Sequence, residues 1–99
     1  MILGTFNKQP SEVLDFDIDF SQWLPAGDTI DTATAEVTLG GAALLLTGTS
    51  GDTMIIDDTV VKQWVYAGTT GVTYQVQITA TTVQGRVKEA EFRLRVKEI

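Results

Sequence analysis

Two segments near the end of the chain alternate strictly between apolar and polar residues. In residues 74–81, Tyr, Val, Ile and Ala occupy every second position, with Gln and Thr between them. Residues 89–97 repeat the pattern with Ala, Phe, Leu and Val set against Glu, Arg and Lys. Because successive side chains of a strand point to opposite faces of a sheet, this period of two predicts two half-buried β-strands. Gln84 and Gly85 predict a hairpin turn between them.

Five more segments have the composition of short strands and are bounded by Gly, Asp, Pro and Ser. They cover residues 13–20, 29–39, 42–47, 53–56 and 59–66. Seven short strands with turns every ~8–12 residues predict an all-β fold, namely an antiparallel sandwich of immunoglobulin-like or fibronectin III-like type. A length of 99 residues suits one hydrophobic core, so we predict a single domain over residues 1–99.

A few residues are expected to have structural roles in this sandwich. Tyr74 begins the penultimate strand directly after a glycine-containing turn, and this is where a tyrosine corner bonds its hydroxyl to the backbone upstream. Trp64 lies inside a predicted strand, and we expect it to pack in the core. Gly68, Gly71 and Gly85 are predicted turn residues.

Composition excludes several classes of function. The net charge of −6 repels phosphate backbones and anionic lipids, so neither nucleic acid nor a membrane is an expected partner. No apolar run reaches the ~20 residues that span a bilayer, and the first residues lack the features of a signal peptide. Without His or Cys, the commonest general base, the thiolate nucleophile and the usual transition-metal ligands are missing. We therefore predict a binding protein with no enzymatic activity and no cofactor.

Three aspartates, Asp15, Asp17 and Asp19, alternate with apolar residues in the first predicted strand. An EF-hand loop is excluded because Phe20 and Ala26 stand where the glycine and the bidentate glutamate would be needed. A looser calcium site remains open at this stage. The alternative is a solvated acidic row that pairs across strands with basic residues of the last strand, namely Arg93, Arg95 and Lys97.

Apolar residues also exceed what one inward face requires in the middle of the chain, so part of this surface is expected to be covered by a partner or by loops. Trp23 either anchors a partner or plugs the end of the sandwich. The candidate partner interface is Leu44, Leu45, Leu46, Met54, Ile55, Ile56 and Trp23.

Several motifs together resemble a family of small virion proteins of tailed bacteriophages. Residues 15–24 and the Gly27-Asp28-Thr29-Ile30 element resemble the opening of these proteins. Residues 64–76 resemble their G-x-x-G-x-x-Y-x-V strand entry, and Gly85-Arg86 resembles their hairpin. The resemblance implies a structural protein of the virion, immunoglobulin-like in fold, made in the bacterial cytoplasm and without catalytic residues. Its implied partners are capsid or tail proteins, or further copies of itself.

Within this resemblance, capsid decoration is the first expectation for function. A small acidic domain in many copies suits attachment to a capsid lattice, where many weak contacts add up. A tail, neck or baseplate component is the alternative, and an adhesion or carbohydrate-binding module for host-surface glycans is another. Attachment would use the sheet faces, the sheet edges or residues 1–10.

Overall fold

The described part of the chain contains eight β-strands, joined by turns and loops, and no helix. The computed structural model describes residues 2–98, and for Ile2 it describes only the backbone. The strands are β1 (Ile2–Lys8), β2 (Leu14–Asp19), β3 (Ile30–Leu39), β4 (Leu44–Leu45), β5 (Thr53–Ile56), β6 (Val60–Ala67), β7 (Thr73–Thr82) and β8 (Val87–Val96). The predicted all-β fold is confirmed. Within residues 2–98, no helix has the length and apolar character needed to cross a bilayer.

The strands form two sheets whose order is that of an immunoglobulin-like sandwich. The first sheet has the order β1-β8-β7-β3, and in the second β6 pairs with β2 on one side and with β4 and β5 on the other. Strands β3, β7 and β8 correspond to C, F and G of the immunoglobulin fold, and β2, β5 and β6 correspond to B, D and E. The predicted architecture is therefore present.

The N-terminal strand β1 departs from the prediction. The sequence predicts seven antiparallel strands, but β1 is an eighth and pairs in parallel with β8, with Phe6 opposite Leu94 and Lys8 opposite Val96. The alternating pattern is weak there, because Gly4 interrupts it and because Lys8 faces inward although it is charged. The strand predicted over residues 42–47 is also shorter and reduces to β4.

A single apolar cluster fills the space between the sheets. Every inward residue of β7, from Tyr74 to Ala80, is fully buried, and so are those of β8, from Ala90 to Val96. Ile18, Phe20 and the inward residues of β6 meet them from the second sheet. Removing one large apolar side chain from water is worth about 1.5–3 kcal/mol, so these rows provide the main driving force for closure.

Tyr74 forms a tyrosine corner at the start of β7. Its hydroxyl accepts a hydrogen bond of 2.8 Å from the amide of Thr69, in the turn that follows β6. Gly40 lies directly against the ring, where a Cβ would come within 2.5 Å of a ring carbon, and its φ of +102° also disfavours other residues. Gly68 is equally constrained by the side chain of Val96, which a Cβ would approach to 2.7 Å.

Lys8 is completely buried and ties β1 to the end of β6. Its ammonium group donates to the carbonyl oxygens of Ala67 at 2.6 Å, Gln9 at 2.9 Å and Pro10 at 3.2 Å. Burial lowers the pKa of Lys8, while the nearby carboxylate of Glu12 acts to raise it. Three acceptors match the three donors of an ammonium group, so this buried cation is fully hydrogen-bonded.

The tyrosine corner predicts a measurable loss of stability in Tyr74→Phe. The ring is retained, but the partly buried hydrogen bond from the Thr69 amide is lost, so we expect the free energy of unfolding to fall by about 1 kcal/mol. Urea denaturation measures this change. Thr70→Ala, an exposed position in the same turn, is the control and is expected to change stability by less than about 0.5 kcal/mol. Equal stability of Tyr74→Phe and the wild type would show that the hydrogen bond contributes nothing.

Candidate functional surfaces

The outer face of the first sheet is polar and internally hydrogen-bonded. The side-chain amide of Gln75 donates to Glu91 at 3.2 Å, and that of Gln77 donates to Glu89 at 2.6 Å. Arg93 in turn donates to the Gln75 side-chain oxygen at 3.4 Å. These groups are satisfied by one another and by water, so this face offers a solvated surface and not an apolar contact area.

The acidic row of β2 does not pair with the last strand as predicted. Strand β2 pairs antiparallel with β6, and Lys62 of β6 lies opposite Asp17. The Lys62 ammonium contacts the carboxylates of Asp15 at 2.7 Å and Asp17 at 3.1 Å. The hydrogen bond from Lys62 lowers the pKa of Asp15, and the same bond raises the pKa of Lys62. Arg93 and Arg95 belong instead to the other sheet.

This arrangement gives the calcium expectation no support. Outward side chains of one strand are spaced roughly 6–7 Å apart, so the three carboxylates do not converge on a point. A lysine occupies the space between Asp15 and Asp17. Among residues 2–98, no group of three or more acidic residues has the geometry to hold a metal ion.

Trp64 lies on the outer face of the second sheet and not in the core. Along β6 the fully buried Val61, Gln63 and Val65 face inward, so Trp64 faces outward. The loop over residues 47–52 folds back over this face. The hydroxyl of Tyr66 accepts from the Gly51 amide at 2.9 Å and donates to the Gly51 carbonyl at 2.6 Å.

Gly51 packs so closely on Trp64 that a Cβ would lie 2.8 Å from its indole. The indole Nε1 is buried and has no acceptor among the described residues. Part of the apolar surface that was expected to be covered by a partner or by loops is therefore covered by a loop.

The predicted partner interface separates into two groups in the structure. Leu44 belongs to the core, and Leu46, Ile55 and Trp23 pack against it. Ile56 is half-buried. Leu45 and Met54 remain exposed, at 49% and 44%. The apolar run therefore serves mainly to close the sandwich, and only Leu45 and Met54 of the predicted interface stay open to a partner.

Exposed apolar side chains remain along the edge of the sandwich formed by β3, β4 and β5, where Leu45 and Met54 face outward from the second sheet. Besides Leu45 and Met54, this side includes Leu39, which is 54% exposed at the end of β3. We call these three residues the β3–β5 side.

An open groove runs along the opposite side, between the edge strands β1 and β2. It consists of two adjoining cavities of about 270 and 370 Å³, both of which are lined by Leu3. We call it the edge groove. Its other lining residues are Phe6, Asp15, Phe16, Asp17, Ile18 and Phe92 in the first cavity and Asp19, Phe20, Gln22, Trp23 and Lys88 in the second.

The floor of the edge groove is aromatic. The ring centroids of Phe16 and Phe92 lie 5.0 Å apart, and those of Phe6 and Phe16 lie 5.1 Å apart. Phe92 is buried, but Phe6 remains 41% exposed and Leu3 43% exposed. The sequence prediction missed this surface, because it forms only when β1, which carries Leu3 and Phe6, lies beside β8.

Trp23 closes the far end of the edge groove. It packs against the core cluster, and the ammonium of Lys88 lies 5.6 Å from the centre of its ring. A cation near the ring is held by the negative charge of the π face. Trp23 therefore plugs the sandwich end, and because it also lines an open surface its second role, as an anchor for a partner, stays a prediction.

An ion pair between a buried aspartate and an exposed arginine joins the loop before β3 to the turn between β7 and β8, and sequence reasoning did not find it. Asp28 is buried, and Arg86 contacts its carboxylate at 2.8 Å. The amides of Thr29 and Gln84 also donate to it, at 3.0 and 3.2 Å. Burial opposes ionisation of Asp28, but hydrogen bonds from Thr82, Arg86 and these amides outweigh it and lower the pKa. The signal was present, because Asp28 and Arg86 belong to two of the motifs that carry the phage resemblance.

The described residues thus form a small β-sandwich with exposed apolar side chains along two opposite edges. A family model described as "Podophage GP4 fiber-tail adaptor protein gp77" matches residues 8–95. The chain therefore belongs to this family and is a structural component of a tailed-phage virion. The comparison with curated proteins found no match. The family favours the predicted tail alternative over capsid decoration, the first expectation, which it does not support.

The Asp28–Arg86 pair predicts a specific dependence of stability on pH. Because folding lowers the Asp28 pKa below its ordinary 3.8, the pair stabilises the fold above that pH, and this contribution is lost as the pH falls through the lower, folded value. In Asp28→Asn, stability should thus be lower near neutral pH and should fall less between about pH 6 and about pH 2.5 than in the wild type.

Urea denaturation at both pH values measures the difference. Asp31→Asn removes the same charge at an exposed position three residues away and serves as the control. A pH dependence of Asp28→Asn equal to that of the wild type would contradict the assignment.

Proposed function

We propose that this chain joins a tail fibre to the phage tail by binding one virion protein on each side of its sandwich, without catalysing a reaction. The observation that carries the proposal is the family match, which covers residues 8–95 and bears the description of a fibre–tail adaptor. The absence of His and Cys from the sequence accords with a role in binding.

The distribution of exposed apolar residues supports a function with two partners. An adaptor needs two separate contact surfaces, since its partners are held at the same time. The edge groove exposes Leu3 and Phe6 beside β1 and β2, while the β3–β5 side exposes Leu39, Leu45 and Met54. The molecule measures 44 × 26 × 20 Å, so partners on opposite sides have room to bind together.

The outer face of the first sheet and the covered part of the second are less suited to tight contact. The outer face of the first sheet is polar, and the loop over residues 47–52 covers part of the second. Specific interfaces place apolar or aromatic residues at a dry centre with polar residues around it. The two proposed sides have this composition.

The adaptor function predicts that the two contacts can be broken separately. Leu3→Asp introduces a charge into the edge groove, and Leu45→Asp introduces one on the β3–β5 side. Both positions are exposed, so the fold should be retained. Each substitution is expected to weaken binding of one partner at least about tenfold and to leave the other partner within about twofold of the wild-type affinity.

Purified fibres and fibreless tails are passed separately over the immobilised chain, and dissociation constants are measured. Val83→Asp, an exposed position in the turn between β7 and β8, is the matched control and should bind both partners normally. If the wild type binds neither fibre nor tail, the adaptor function is wrong. If both variants lose the same partner, the assignment of one partner to each side is wrong.

A further inference from the structure

The edge groove lies between two strand edges that have no partner among residues 2–98. Strand β1 pairs only with β8, and β2 pairs only with β6. Each strand therefore presents a row of unpaired backbone donors and acceptors toward the groove. An extended peptide can add to such an edge as one more strand, held by backbone hydrogen bonds, with side-chain pockets that select its sequence.

The two faces of β2 determine which side chains such a peptide needs at alternate positions. On the outer face lie the carboxylates of Asp15, Asp17 and Asp19, which all line the edge groove. On the inner face lie Phe16 and Ile18, next to the aromatic floor. A strand paired with β2 would alternate in the same way, because opposite residues on one face of a sheet are neighbours at about 4.5–5.5 Å.

Charge complementarity then fixes the chemistry of the outer positions. Lys62 is the one described cation in contact with the row, and it supplies a single positive charge to Asp15 and Asp17. The side chain of Asp17 remains 57% exposed, and among the described residues Asp19 is bonded by Ser21, through its amide and its hydroxyl, and by no cation. The row therefore keeps a net negative charge, and Lys or Arg side chains of an added strand would lie beside it.

A second copy of this chain does not meet these requirements at its own free edges. Pairing β2 with another β2 would set aspartates opposite aspartates, which is repulsive. The other free-edge strands also lack basic outward residues: β1 presents Thr5 and Asn7, β3 presents Thr34 and Glu36, and β4 and β5 contain no Lys or Arg. The basic residues of β8 lie in a strand that is paired on both edges, with β1 and β7.

We propose that the free edge of β2 binds an extended segment of another virion protein, in which basic residues alternate with apolar ones. The basic side chains lie against Asp15, Asp17 and Asp19, and the apolar side chains enter the groove toward Phe6 and Phe16. This proposal deepens the adaptor function and rests on it for the kind of partner, since it assigns the chemistry by which one of the two virion proteins is held.

A synthetic peptide tests the edge itself. The probe is acetyl-Lys-Val-Lys-Val-Lys-Val-amide, as long as the six-residue β2, and the matched probe replaces each lysine by glutamate. Chemical shifts of the ¹⁵N-labelled chain are followed during titration. We expect the basic peptide to shift the amides of residues 14–19, with an affinity that falls at least about tenfold between about 50 and 500 mM salt.

The acidic peptide is expected to bind at least about tenfold more weakly. A basic peptide that leaves the β2 amides unshifted, or equal binding of both peptides, would overturn the proposal. So would shifts confined to β3, the other free edge of the first sheet.

Variants of the whole chain test the same edge with the real partners. The double variant Asp17→Lys with Asp19→Lys reverses the row, and the control Glu89→Lys with Glu98→Lys makes the same charge change outside both proposed contact sides. All four positions are exposed, and circular dichroism checks that both variants fold. We expect the β2 variant to lose at least about tenfold in affinity for one partner, fibre or tail, while the control stays within about twofold of wild type.

The outcomes separate this proposal from the adaptor function. If the β2 variant binds fibre and tail as the wild type does, the β2 edge is not the contact and the adaptor function stands. If the wild type binds neither, the adaptor function fails, and the peptide titration still decides whether the β2 edge takes a basic strand. If the β2 variant does not fold, the titration of the wild-type chain decides the proposal.

Discussion

The apolar interior between the two sheets is the constraint on which every other feature of this protein depends. The inward rows of β7 and β8 are completely buried against β2 and β6, and no disulfide assists them, because the chain has no cysteine. Each strand gives one face to this interior and leaves the other face to the solvent. Buried polar groups are accommodated with partners, and the Trp64 indole N–H is the exception among the described residues. Lys8 is surrounded by three carbonyls, Gln63 bonds Thr53 and two carbonyls, and Asp28 holds Arg86.

A sandwich closed in this way leaves its edges open. The faces are occupied either by polar networks, as around Gln75, or by a covering loop, as over Tyr66. The sides, where one sheet ends above the other, retain exposed apolar side chains and unpaired strands. This division between a stable core and open sides suits a structural protein of the fibre–tail adaptor family. The core provides stability, while the sides remain free for contacts with neighbouring virion proteins.

Prediction from sequence succeeded where the signal was local and failed where it depended on a distant partner. The strands at 73–82 and 87–96 were found because alternation requires no knowledge of the partner strand. Strand β1 was missed because it is held by β8, more than 80 residues away, and because Lys8 breaks its pattern. The acidic row was recognised but assigned to Arg93 and Arg95, because alternation does not specify which strand lies beside it. Trp64 was expected in the core, since a tryptophan among valines gives no indication of which face it occupies.

The sequence alone determined the class of fold, the tyrosine corner at Tyr74 and the resemblance to tailed-phage virion proteins, because all three depend on residue order within short segments. Tertiary structure alone decided the pairing of β1 with β8, the bond between Asp28 and Arg86 and the formation of the edge groove. These features join residues that are 58 or more positions apart in the first two cases, and in the third they join strands from different sheets. Such contacts exist only after the sheets have packed together, so local sequence patterns do not predict them.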